Sequence, residues 1–201
     1  GKTYMMADFM DRVLSENENI VFLVSSPSKA GLAKQNFEKF EEYQASGNFQ
    51  NLDSYLITSE TGGEAGVFIP ANHNVYVLPY SLTNRQGKIM KEANAFRNFL
   101  MEIRDRQLKQ LWLIVDEGHI ATNGLELFRN FFNKNFYFSA TPDQLPEKMK
   151  HLNIDVEISE ADAIQANLIK SVEYIENEYV STKEGLTEAI TKLKEIQGLA
   201  N

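Results

Sequence analysis

Apolar residues along this chain gather into short continuous runs, separated by stretches in which they recur every three or four positions. The runs fall at residues 20–24, 55–58, 75–78, 111–115 and 136–138. A continuous apolar run of this length reads as a strand buried on both faces, the kind found in parallel sheets. Between the runs the spacing is helical. Tyr4, Met5, Met6, Phe9, Met10, Val13 and Leu14 predict a helix over residues 1–15, and Ala30, Ala33, Phe37 and Phe40 predict another ending near Tyr43. Ile89, Ala93, Phe96, Leu100 and Ile103 form a 4-3-4-3 stripe that predicts the longest helix, 88–109, and Leu125, Phe128, Phe131 and Phe132 predict a short one over 125–133. Helices alternating with buried strands give an α/β domain with a mainly parallel sheet.

Past Pro146 the pattern weakens. Val156 and Ile158 suggest one more strand, residues 161–168 a short helix, and Leu186, Ala189, Ile190, Leu193 and Ile196 a last amphipathic helix. This divides the chain into a domain over 1–145 and an extension over 146–201. Gly62, Gly63 and Gly66 lie in a loop that has neither a lysine nor a following helix, so a turn is expected there, not a phosphate cradle.

The ends of the runs carry the chemistry. Leu111-Trp112-Leu113-Ile114-Val115 leads straight into Asp116-Glu117-Gly118-His119. In parallel sheets ligands bind beyond the carboxyl ends of the strands, so the run delivers two adjacent carboxylates to such a place. Side by side they are costly unless a cation or proton offsets them; a magnesium nucleotide would do so, while an acidic helix cap would explain them without any ligand. Gly1-Lys2-Thr3 stands at the N-terminus of the first helix, where free N–H groups and the positive end of the dipole favour phosphate. Ser25-Ser26-Pro27-Ser28-Lys29 follows the first run, and those hydroxyls could meet a sugar-phosphate backbone or cap the next helix. Pro79-Tyr80-Ser81-Leu82 and Ser139-Ala140-Thr141 end two further runs. The charges Lys91, Glu92, Arg97, Arg104 and Arg106 on the longest helix read as a solvated face.

Composition narrows the classes. The 201 residues are 43% hydrophobic and 24% charged, as in globular proteins. No apolar run approaches the roughly 20 residues of a membrane span, no cationic leader is visible, and cysteine is absent, which together predict a cytoplasmic protein without disulfides or thiolate metal sites. His73, His119 and His151 make no metal-ligand spacing. A net charge of −8 argues against a general nucleic-acid coat but leaves open a motor that grips a backbone through N–H groups and hydroxyls in a narrow groove.

Taken together and in order, these strand ends resemble the first motor domain of superfamily 2 helicases and translocases of the DExH group. Gly1-Lys2-Thr3 is similar to the tail of motif I, Ser25-Ser26-Pro27 to motif Ia, Pro79-Tyr80-Ser81-Leu82 to the motif Ib region, Asp116-Glu117-Gly118-His119 to motif II, and Ser139-Ala140-Thr141 to motif III, 23 positions after Asp116. Asp155-Val156-Glu157-Ile158, followed by Ala163-Ile164 and Leu168-Ile169-Lys170, resembles the passage after motif III in the helicase subunit of type III restriction enzymes. The resemblance covers residues 1–170.

It implies a three-layer RecA-like P-loop NTPase domain, with ATP and Mg2+ as cofactors and nucleic acid, DNA before RNA, as partner. Gly1, Lys2 and Thr3 would bind nucleotide, with Lys2 on the β and γ phosphates. Thr3 and Asp116 would hold the metal, Glu117 would orient or deprotonate the attacking water, and Asp116, Glu117 and Lys2 form the catalytic set. His119, Ser139 and Thr141 would couple nucleotide state to the nucleic-acid side, where Ser26, Lys29, Tyr80 and Ser81 are the expected backbone contacts. Against the family pattern the phosphate loop begins at its last glycine, an N-terminal truncation, and the second motor domain is missing, so weak activity is expected of this chain alone. The activity implied is that of an ATP-dependent DNA helicase or translocase of a restriction-modification endonuclease. An RNA helicase of the same superfamily would look alike at these motifs, and a non-catalytic nucleic-acid-binding or scaffold module would keep the fold without the chemistry.

Overall fold

A computed structural model describes residues 1–27, 31–58, 68–83, 95–117, 123–140, 156–165, 183, 185–187 and 189–192. Its core is a five-stranded sheet: β1 (Ile20–Ser26), β2 (Ser54–Leu56), β3 (Val75–Pro79), β4 (Gln110–Asp116) and β5 (Lys134–Phe138). The order is β2-β3-β1-β4-β5 and every pairing is parallel. β1 lies at the centre, with Ser26 opposite Pro79 of β3 and Ser25 opposite Val115 of β4. All seven β1 residues are buried, as are the last six of β4, which is why these runs lack polar alternation.

Strand residues nevertheless alternate between two apolar layers. Ile20, Phe22, Val24, Trp112 and Ile114 face one side, where α1 (Lys2–Glu16) contributes Met6, Ala7, Met10 and Leu14 and α2 (Leu32–Ala45) contributes Ala33 and Phe40. Val21, Leu23, Leu78, Leu111, Leu113 and Val115 face the other, against Phe96, Phe99 and Leu100 of α3 (Ala95–Met101) and Ile103 in the π-turn Glu102–Arg106. Helices on both faces of a parallel sheet make the expected three-layer α/β arrangement. The switch of faces between the β1–α2–β2 and β3–α3–β4 crossovers opens the carboxyl edge beside β1 and β4, where α/β folds bind ligands.

Three local expectations change. The segment expected as an α-helix over 125–133 is a 3-10 helix, Asn123–Phe131. Its apolar residues Leu125, Phe128 and Phe131 are spaced by three, which aligns them on one side only at three residues per turn. The longest predicted helix is seen as α3 and the π-turn, and its first part falls within residues 84–94, outside the described ones, as does the 62–66 glycine loop. Val156 and Ile158 form no strand and are 79% and 49% exposed.

The chain groups into two units, Gly1–Ile154 and Asp155–Asn201. In the second, α4 (Glu160–Gln165) begins where Ser159 and Asp162 exchange hydrogen bonds, Asp162 Oδ2 accepting from the Ser159 hydroxyl at 2.6 Å and Ser159 Oγ from the Asp162 N–H at 3.1 Å. The hydroxyl bond, with a further one from the Ser159 N–H to Oδ2, favours the charged form and lowers the Asp162 carboxyl pKa. Among the described residues no helix is long and apolar enough to cross a membrane.

Candidate functional site

Strand parity decides which side chains meet at the carboxyl edge. Ile114 faces the α1–α2 layer, so Asp116, two residues on, faces it too, and by the same count so does Ser26 after Val24. Glu117 would point the other way in an extended chain. Its backbone instead turns into the left-handed region, at φ 52°. That conformation costs a non-glycine residue roughly 1 kcal/mol or more, and it brings the Glu117 carboxylate to the same group that Asp116 reaches.

The shared group is the Lys2 ammonium. Lys2 Nζ lies 3.2 Å from Asp116 Oδ1 and hydrogen-bonds Glu117 Oε1. Asp116 is only 5% exposed. Its Oδ1 meets the ammonium at ion-pair distance yet accepts no directed hydrogen bond, so one buried carboxylate oxygen has its charge offset and its lone pairs uncommitted. Gly1 caps α1, its carbonyl accepting from the N–H groups of Tyr4 and Met5, and the Lys2 and Thr3 amides ahead of them have no intrahelical acceptor.

The other Asp116 oxygen belongs to a buried polar network. Asn36 of α2 donates from Nδ2 to Asp116 Oδ2 at 3.0 Å and to Ser26 Oγ at 2.9 Å, and accepts from the Thr3 hydroxyl at 2.9 Å. Lys2, Thr3, Ser26 and Asp116, drawn from three places in the sequence, are thus joined. The joining residue, Asn36, belongs to none of the sequence motifs. Its signal is a polar side chain three after Ala33 and four before Phe40, on the buried side of a helix, where an amide needs partners.

Tyr80, in the 3-10 turn Tyr80–Thr83 after β3, donates its phenol proton to the Asp116 carbonyl. Burial pushes its pKa well up, and the nearby Asp116 and Glu117 charges add to that. Both Ser26 and Tyr80 turn their hydroxyls inward, at 0% and 6% exposure. Buried donors and acceptors, Asn36 Nδ2 and the Asp116 carbonyl, hold those two hydroxyls there. Ser81 is exposed. Ser139, half-buried, follows β5 at the same edge, since Asp116 is opposite Phe138. Lys29, His119 and Thr141 lie outside the described residues.

The residues present suit a magnesium nucleotide. Magnesium takes one or two carboxylates, keeps several waters and is completed by substrate phosphate oxygens. The Thr3 hydroxyl and Asp116 Oδ1, a buried carboxylate oxygen that accepts no directed hydrogen bond, would supply the protein's share of that set, with the Lys2 ammonium beside them for the phosphate. Among the described residues no group of three or more His, Cys, Asp or Glu side chains gathers, so these form no cage of such ligands.

The model of the family described as "Type III restriction enzyme, res subunit" matches residues 1–144. No curated protein and no solved structure matches the chain significantly. The family is helicase-like and ATP-binding, and its domain is the RecA-like P-loop fold, with which the parallel sheet and two helical layers agree. By fold and by family model, the chain belongs to the type III restriction enzyme res subunit family as its first motor domain.

Proposed function

We propose that this domain binds and hydrolyses ATP with Mg2+ to drive a helicase or translocase along DNA, as part of a restriction endonuclease. One observation carries the reading: the Lys2 ammonium is held by both carboxylates at the end of β4, while Thr3, the next residue, is tied through Asn36 to the same Asp116.

In this reading Gly1, Lys2 and Thr3 receive the nucleotide, with Lys2 on the β and γ phosphates. Thr3 and Asp116 would hold the metal ion, which when bound would offset charge on the phosphate oxygens during transfer. Glu117 orients or deprotonates the attacking water. Its carboxylate is hydrogen-bonded to Lys2, so an arriving triphosphate that draws the ammonium toward its own oxygens releases Glu117 for that water. The domain therefore carries its phosphate-binding cation in contact with the acids, and exchanges one set of anions for another.

His119, Ser139 and Thr141 relay nucleotide state to the nucleic-acid side. There Ser81 and Lys29 make backbone contacts, and Ser26 and Tyr80 contribute by fixing the strand ends from inside. Residues 146–201 act as a connector toward a second motor domain, and a cytoplasmic setting suits an enzyme that works on DNA. The test is ATP hydrolysis by the full-length protein with duplex DNA, with single-stranded RNA and with neither. Stimulation by DNA supports the reading. Stimulation by RNA alone favours an RNA helicase, and no hydrolysis in any condition favours a non-catalytic module.

A further inference from the structure

Asn36 is 5% exposed and uses both amide protons and its carbonyl oxygen. Its orientation is fixed by chemistry: turned over, the carbonyl would face the Asp116 carboxylate and the Thr3 hydroxyl would lose its acceptor. Two consequences follow for the cation site. A hydroxyl that ligates a cation offers a lone pair and must send its proton elsewhere, and Asn36 Oδ1 receives the proton of Thr3. A carboxylate held at Oδ2 by an amide donor presents Oδ1, and Asp116 Oδ1 is the oxygen that accepts no hydrogen bond. Ser26 anchors the amide from the end of β1, so the arrangement is braced by a central strand.

We propose that Asn36 is the positioning residue of the magnesium site: through one side-chain amide it aims the Thr3 lone pair and Asp116 Oδ1 at a single cation. This rests on the nucleotide-binding reading above and adds a residue to it. Partners that orient metal ligands typically matter 10–100-fold in metal affinity.

The experiment is a Mg2+ titration of the binding of a fluorescent, non-hydrolysable ATP analogue to the full-length protein, with a parallel measurement in EDTA. Asn36→Leu keeps the approximate volume and removes all three bonds. Its Mg2+ midpoint should rise about 10–100-fold, with metal-free affinity for the analogue unchanged. A purely structural role would weaken binding equally in EDTA and in Mg2+, and that result overturns the proposal. So does an unchanged midpoint in a folded variant while the wild type shows Mg2+-dependent binding. Absence of Mg2+-dependent binding in the wild type removes the nucleotide reading and this proposal together. If Asn36→Leu does not fold, Asn36→Ala, which leaves space for water, takes its place. In a double-mutant cycle with Thr3→Val the two losses should be less than additive, because both act through one hydroxyl; full additivity contradicts the assignment.

Discussion

The two faces of the sheet are made by the same strands and filled to opposite ends. The α3 face is apolar to the tip of β4 and along β1 as far as Ser25, with Val21, Leu23, Leu111, Leu113 and Val115 against Phe96, Phe99, Leu100 and Ile103 and no charged group among them. The α1–α2 face begins the same way and finishes in Ser26 and Asp116, joined to Asn36, Thr3 and Lys2. Burial of each large apolar side chain contributes about 1.5–3 kcal/mol, whereas a buried carboxylate must recover its desolvation from ammonium and amide partners. The α3 face thus contributes stability, and the end of the α1–α2 face holds charges whose value, under the proposed function, lies in binding.

That contrast can be broken from either side. The largest effect on stability should come from Phe99→Ala. Phe99 is 3% exposed and packs edge-on to Tyr76 at 4.6 Å between ring centroids, so its loss should cost about 3–5 kcal/mol in urea unfolding. Nucleotide affinity of the folded fraction should stay as it was.

Next comes Tyr80→Phe, which strips the Asp116 carbonyl of its donor and should cost about 1–2 kcal/mol at neutral pH. It should also change the alkaline limb. A tyrosine in the unfolded chain ionises near pH ~10, and burial raises the Tyr80 phenol above that. The folded state then keeps a proton that the unfolded state releases, so this stabilisation is complete below that pH and is lost as pH rises beyond it. Unfolding measured from pH 8 to 11 should therefore fall less steeply in Tyr80→Phe. Part of the slope should survive, because burial also raises the Tyr76 phenol.

The smallest change in stability is expected of Asp116→Asn, within about 1 kcal/mol of wild type, since volume and the Asn36 contact are kept and Lys2 retains Glu117. ATP hydrolysis should nevertheless collapse. A loss of several kcal/mol on unfolding would show that this carboxylate supports the fold as Phe99 does.

Much of this was legible in the chain because strand parity is arithmetic. An unbroken apolar run ending in Asp116 fixes a buried parallel strand and the face its acid takes, and the ordered motifs place Lys2 and Thr3 at the same edge. What escaped depends on partners distant in sequence. Asn36 shows in the sequence only as a polar side chain on a buried helix face, and its partners Thr3, Ser26 and Asp116 are visible only in the fold. Tyr80 reads as a backbone contact at a strand end, and its bond to the Asp116 carbonyl depends on a partner 36 residues away. The left-handed turn at Glu117 has no sequence signal, since glutamate is a poor residue for it. Val156 and Ile158 alternate like a strand yet form none, because two apolar positions set no register by themselves.

The most direct test of the central claim is single-turnover ATP hydrolysis by the full-length protein carrying Glu117→Gln, with nucleic acid and Mg2+ present. The substitution preserves shape and removes the group assigned to the attacking water. The account predicts a fall in rate of at least about 10²-fold, with nucleotide affinity retained. An unchanged rate would contradict it.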